Sequence, residues 1–259
     1  MRRIAIAVLF LLSLAQVAAA ESTTRPDIPP AIVAPGELVL HLPGIGGTRR
    51  RDMQLIAGLK DAGLHANFQI YDWTEHEPGL PALVDTNRNL DEAKKIAGFI
   101  VAHHQLDPDS PIILTAHSGG CGLAVWALER LPQNISVDTL LLLAPALSPD
   151  YDLTKSLRHV SGHAYAFTST NDTVVLKVGT KIFGTIDGVH GPAAGYSGFV
   201  MPPGADADVY KKLIPEPYDE KWMQYDNPGD HIGPMARPFA EAVIAPLLIT
   251  SDPATQPGN

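Results

Sequence analysis

The sequence predicts an α/β fold, a doubly wound and mostly parallel sheet with helices on both faces. Two observations carry that expectation. Between residues 37 and 168, short apolar runs alternate with stretches whose apolar residues recur at helical spacing, as parallel strands joined by crossover helices require. One of these runs, Thr139-Leu140-Leu141-Leu142-Leu143-Ala144, is apolar throughout after its first residue, as a strand covered on both faces must be.

Taken in order, residues 1–20 read as an export signal. Arg2 and Arg3 give the positive start, Ile4 to Leu14 the apolar stretch, and Ala18-Ala19-Ala20 the small-residue cleavage site. The apolar stretch of about eleven residues falls short of the roughly 20 that span a membrane. No cysteine lies near the cleavage point, which argues against a lipid anchor. The expected location is secreted or periplasmic, after cleavage near Ala20 and without a stable membrane anchor. Residues 21–35, rich in Pro, Ser and Thr, read as an extended lead-in.

Glu37–Leu42 reads as the first strand, ending at Pro43-Gly44-Ile45-Gly46-Gly47-Thr48. Asp52–Ala62 reads as a helix with Met53, Leu55, Ile56 and Leu59 on its apolar side and Gly63 as its stop. A strand at Asn67–Trp73 and a helix at Asn87–His103 follow, the latter with Leu90, Ala93, Ala97, Ile100 and Val101 at helical spacing. Next come a strand at Pro111–Ala116, a helix from Gly119 to about Leu131, and the strand at Thr139–Ala144. A short helix near Tyr151–His159 leads to a strand at His163–Thr168. From Val174 to Gly229 clustered Gly and Pro break the rhythm, and an irregular stretch of that length inside a compact domain is usually functional. A final helix from about Met235 or Ala236 to Leu248 closes the domain, expected to span 36–249, with a flexible tail at 250–259.

Composition bounds the partners. Removing residues 1–20 leaves 17 basic and 28 acidic residues, a formal net charge of −11. Such a surface argues against binding nucleic acid through charge. Cys121 is the only cysteine, so an intramolecular disulfide is impossible; its place on the first turn of a helix reads as packing. Asn134-Ile135-Ser136 and Asn171-Asp172-Thr173 match the glycosylation acceptor pattern. A glycan beside Asp172 would obstruct it, which favours a bacterial setting, where the pattern carries no meaning.

The chemistry centres on Ala116-His117-Ser118-Gly119-Gly120. A strand stops at a serine with tiny neighbours and a helix starts at once, so the hydroxyl stands clear and the Gly119 N–H sits at a helix start. Serine needs a base, an acid to orient that base, and donors for an oxyanion. The glycine turn at Pro43–Gly47 reads as the donor turn: Arg49 breaks the dinucleotide spacing after Gly44-Ile45-Gly46, and no Gly-Lys-Ser/Thr follows. Asp172, just beyond a strand end, is the expected acid, with Asp150 and Asp152 in reserve. His231, in a Gly-rich loop before the last helix, is the expected base and His190 the second choice. His117 is set aside as a base because an elbow turns adjacent side chains apart. No His or carboxylate spacing suggests a metal.

With the glycine turn, the elbow and the order Ser118, Asp172, His231, the chain resembles the α/β-hydrolase fold superfamily over about residues 36 to 249. The resemblance implies Ser118 as nucleophile, His231 as general base and acid, Asp172 as orienting carboxylate, and the N–H groups of Ile45 and Gly119 as the oxyanion hole. Two departures stand: Pro43 where many members carry histidine, and Ala116 for the first elbow glycine. The 58 residues between Asp172 and His231 are longer than the family needs, whereas the connection after Thr139–Ala144 is short. The expectation is that 174–229 forms a lid or rim, with Phe199 and Trp222 lining the pocket. The expected activity is cleavage of a small-molecule or lipid-like carboxylic ester through an acyl-enzyme, with no cofactor. Thioesterase, peptidase, perhydrolase and C–C hydrolase chemistry, and a non-catalytic binding protein of the same fold, are the alternatives.

Overall fold

The computed structural model describes residues 34–74 and 77–249. The expected export signal, most of the lead-in and the tail lie outside the described residues.

Six strands form one sheet in which every pairing is parallel: β1 (Leu38–Leu42), β2 (Asn67–Ile70), β3 (Ile112–His117), β4 (Val137–Leu143), β5 (Val160–Thr168) and β6 (Leu213–Pro217), in the order β2-β1-β3-β4-β5-β6. The chain runs from β1 outward to β2, then returns across β1 to β3 and continues the other way. The order therefore reverses between β1 and β3, whose ends lie side by side with Leu42 opposite Ala116. In an open parallel sheet the crevice beyond such a switch point is where ligands bind.

The main helices are α1 (Arg50–Asp61), α2 (Leu80–Val84), α3 (Thr86–Leu106), α4 (Gly120–Leu128) and α5 (Thr154–Leu157). The C-terminal helical run, 237–249, contains a π turn at Ala240–Ile244. Strand alternation divides the core into two layers. Leu38, Leu40, Leu42, Leu114, Leu140 and Leu142 face α3 and α4, while Val39, Ile113, Leu141, Leu143 and Phe167 face α1 and the C-terminal run. All nine residues of α4 are buried, which explains why no polar stripe breaks Gly120–Leu128.

Several elements differ from expectation. β2 stops at Ile70 because the next residues turn: the Trp73 N–H bonds to the Tyr71 carbonyl at 3.1 Å. The helix expected at 151–159 is a single turn, Thr154–Leu157. Most informative is β6, a strand inside the stretch read as irregular. Pro215 and Pro217 hide it in the sequence, yet β6 pairs with β5 alone. The two prolines share one parity, so the missing N–H groups fall on the edge side, where no ladder bond is lost.

Candidate active site

The site is assembled from four chain segments leaving the carboxyl ends of β1, β3 and β5 and preceding the C-terminal run. Ser118 follows β3 directly, at φ 53°. A non-glycine residue in the left-handed region is strained, and here it is over-determined. The Ser118 N–H bonds to Leu143 O at 2.9 Å, and its carbonyl accepts from Cys121 and Ala146 N–H, each at 3.1 Å. Gly120 is required by close approach. A Cβ there would lie 2.6 Å from the Leu42 carbonyl oxygen and nearer still to that of Pro43. Buried Cys121 packs and donates its S–H to the Ala116 carbonyl at 3.3 Å, and burial pushes its thiol pKa far up.

His231 Nε2 lies 2.9 Å from Ser118 Oγ, and His231 Nδ1 lies 2.6 Å from Asp172 Oδ2. A carboxylate only accepts, so Nδ1 carries the proton, and Nε2 is left to accept from the serine hydroxyl. Asp172 is buried. That burial pushes its pKa up, but the His231 charge, the His231 hydrogen bond and the Leu176 N–H (3.3 Å to Oδ1) outweigh it, and the net shift is downward. The carboxylate therefore stays ionised and can hold an imidazolium beside it.

Two loops fix these groups. The acid turn is pinned by the Ser169 N–H to Gly195 O (2.8 Å) and the Asp172 N–H to Ser169 O (3.2 Å). The base loop is held by Asn171 Nδ2 to Pro228 O (3.2 Å) and by the Gly229 N–H to buried Asn227 Oδ1 (2.9 Å). Gly229 sits at φ 82°, and a Cβ there would fall 2.7 Å from Ser169 Oγ. The base loop thus leans on the acid loop.

The glycine turn packs against the elbow. A Cβ on Gly44 would lie 3.2 Å from Ser118 Cβ, and one on Gly119 would lie 2.7 Å from Ile45 Cγ2. The Gly47 N–H bonds back to Gly44 O at 3.0 Å, which fixes the peptide plane between Gly44 and Ile45 and turns the Ile45 N–H the opposite way. Among the described residues neither the Ile45 nor the Gly119 N–H has a hydrogen-bond partner. The turn is further clamped by buried Trp73, whose indole N–H donates to Pro43 O at 2.7 Å. The Gly79 N–H donates to Ile45 O (2.7 Å) and the Thr48 N–H to Asp72 (2.8 Å).

Sequence reasoning singled out neither Trp73 nor Asp72, and gave His117 no positive role. His117 Nε2 lies 2.9 Å from the His231 carbonyl oxygen, and the two rings are 4.9 Å apart. Its signal was faint: Thr115 and His117 are polar residues at alternate positions of an otherwise apolar strand. Ile186, also missed, packs within 3.7 Å of where a Gly119 Cβ would stand. Phe199 packs on the α4 side of the sheet and Trp222 on the opposite side, against Phe167 and Phe239. The structure does not bring that pair together. His190 and Asp150 are exposed, and Asp152 is engaged by the Thr154 N–H at 2.9 Å. Among the described residues no group of three His, Cys, Asp or Glu side chains is placed to hold a metal, and no helix is long and apolar enough to cross a membrane.

No family model and no curated protein sequence matches the chain. Solved structures do. Lipase B of Aspergillus fumigatus shares 14% identity, with a TM-score of 0.52, over 85% of this chain and 55% of that one. This chain therefore spans about half the length of that lipase. A cutinase-like protein from Cryptococcus sp. shares 13% identity over 86% of this chain and 98% of that one, with a TM-score of 0.47. Esterase PE8 shares 16% over 86% and 96%, with a TM-score of 0.46. The likeness to the Aspergillus lipase and the six-stranded parallel order establish the architecture: the chain has the α/β-hydrolase fold.

Proposed function

We propose that the protein is an exported serine hydrolase that cleaves carboxylic esters through an acyl-enzyme. The observation that carries the reading is the unbroken chain Asp172–His231–Ser118, at 2.6 and 2.9 Å, located at the topological switch point. In this reading Ser118 Oγ attacks the ester carbonyl carbon as His231 Nε2 takes its proton. The carbonyl oxygen becomes an oxyanion held by the Ile45 and Gly119 N–H groups, aided by the positive end of α4. His231 then passes the proton to the departing alkoxide, leaving an acyl group on Ser118. Water, deprotonated by His231, releases the acid and restores the serine. Asp172 keeps the imidazole in its tautomer and stabilises the imidazolium.

The Aspergillus structure, a lipase, supports ester cleavage among the chemistries of the fold. We place the substrate rim in 174–229, with Ile186 and Ile45 beside the oxyanion site, and infer export from residues 1–20. The test is fluorophosphonate labelling of wild type and Ser118→Ala, with a panel of p-nitrophenyl esters of graded chain length. Wild type should label and turn over esters, and Ser118→Ala should do neither. Folded wild type that fails to label would sink the reading, and labelling that survives Ser118→Ala would sink the nucleophile.

A further inference from the structure

His117 is buried immediately before the nucleophile, on the sheet face it shares with Ile113 and Thr115. Among the described residues its one hydrogen bond runs to the main chain of the residue proposed as the base. A carbonyl oxygen can only accept, so the tautomer is fixed: Nε2 carries hydrogen and donates to His231 O at 2.9 Å, and Nδ1 is bare. That bare nitrogen faces the glycine turn, since a Cβ on Gly44 would lie 3.2 Å from it. The ring is therefore wedged between the oxyanion turn and the base loop. Gly229 and Gly233 flank the base, and the loop's nearest main-chain bonds, Gly229 N–H to Asn227 Oδ1 (2.9 Å) and Gly233 N–H to Asp230 Oδ1 (2.7 Å), fall on either side of it. Among the described residues no other hydrogen bond reaches the backbone of residue 231.

We propose that His117 is a positioning residue whose Nε2–H, donated to the His231 carbonyl, sets the line along which the His231 imidazole meets Ser118. The inference rests on the reading of Ser118, His231 and Asp172 as a catalytic set. A displaced carbonyl at residue 231 rotates the same residue's side chain, and misplacement by about 1 Å at a reacting centre costs on the order of a hundredfold in rate. The role also requires an uncharged ring. Burial first, and the neighbouring His231 charge second, bring the His117 pKa down to about 4, so it does not compete with the imidazolium formed 4.9 Å away.

The experiment compares His117→Gln with His117→Met. The two side chains are close in length and volume, but only glutamine keeps an N–H near the position of Nε2. The Gln variant should keep kcat within about threefold of wild type, while Met should lose roughly tenfold or more in kcat with KM little changed. Rescue by Gln, together with a loss confined to kcat, is what a packing role would not produce. If Met fails to fold, His117→Asn serves, because its shorter amide cannot reach the carbonyl and should lose kcat as Met would. Equal kcat for the Gln and Met or Asn variants would overturn the proposal. Fluorophosphonate labelling of wild type separates this outcome from failure of the underlying reading. A labelled wild type with indifferent variants removes the role of His117 alone, whereas an unlabelled, folded wild type removes the catalytic set and the positioning role with it.

Discussion

His117 and Asp172 couple protonation to stability with the same sign. The unfolded chain takes up a proton on His117 near the ordinary imidazole value of 6.5, while the buried ring resists it down to about 4. Stability is therefore complete above pH 6.5, falls as pH drops from there to about 4, and levels off below. Between pH 7 and pH 5 this group alone removes roughly 2 kcal/mol. Urea unfolding at the two pH values should show that component in wild type and lose it in His117→Gln. Asp172, with its pKa held below the ordinary carboxylate value, contributes stability present above the unfolded value that vanishes as pH falls through the folded one. Its loss is a separate step at lower pH. Ser118, Asp172 and His231 could be picked out in the sequence because each stands at a strand end or a glycine loop, where local chemistry is unusual. The His117 contact joins residues 114 apart in sequence, and nothing local announces a side chain whose partner is a main-chain oxygen.

At the scale of elements, the glycine turn after β1, which we propose as the oxyanion donor, can be only as good a donor as its clamps allow. Its N–H groups gain their effect by standing ready before charge develops, so loosening the turn should slow the chemistry more than it weakens substrate binding. Trp73→Phe tests this, because it keeps an aromatic side chain and removes the indole N–H to Pro43 O together with the volume of the five-membered ring. The expected outcome is a stability loss of about 2 kcal/mol or more by denaturant unfolding, the lost hydrogen bond and the vacated volume together. A fall in kcat on the order of tenfold should accompany it, a fraction of the loss when an oxyanion donor is removed outright. An unchanged kcat would show that the remaining bonds, Gly79 N–H to Ile45 O and Thr48 N–H to Asp72, hold the turn alone. The turn itself was readable from its glycines. Its clamps were not, since Trp73 was read as the last residue of a strand and instead lies beyond the end of β2. β6 was unreadable for the opposite reason: its prolines mark a break anywhere except on a sheet edge.

Across the whole molecule, the alternation of strands and helices specified the sheet, because β1, β3, β4 and β5 and the helices α1, α3 and α4 bury continuous apolar faces. The stretch from 174 to 229 carries no such continuous face; it is held by isolated buried residues, Leu176, Ile186, Ala193 and Ala194, and by hydrogen bonds to distant backbone. The Ile186 N–H bonds to Ala146 O (2.9 Å), Ala194 to Leu147 (2.7 Å), Gly195 to Pro145 (2.8 Å) and Val200 to Pro149 (2.7 Å). These bonds stitch the proposed rim to the segment that follows β4, which the Ala146 N–H ties in turn to Ser118 O. Ala193 and Ala194 are fully buried, so lifting this part of the rim would expose core and break four main-chain bonds together. A fixed rim follows from this for residues 186–200, not a hinged lid. Native-state hydrogen exchange should then find the amides of Ile186, Ala194 and Gly195 protected nearly as well as those of β5, because they open only with the core. A lid working on every turnover would instead exchange these amides quickly, and would slow them when a fluorophosphonate occupies Ser118. Protection that is high and indifferent to the inhibitor is the expected result, and it would exclude a closing movement of residues 186–200 during turnover.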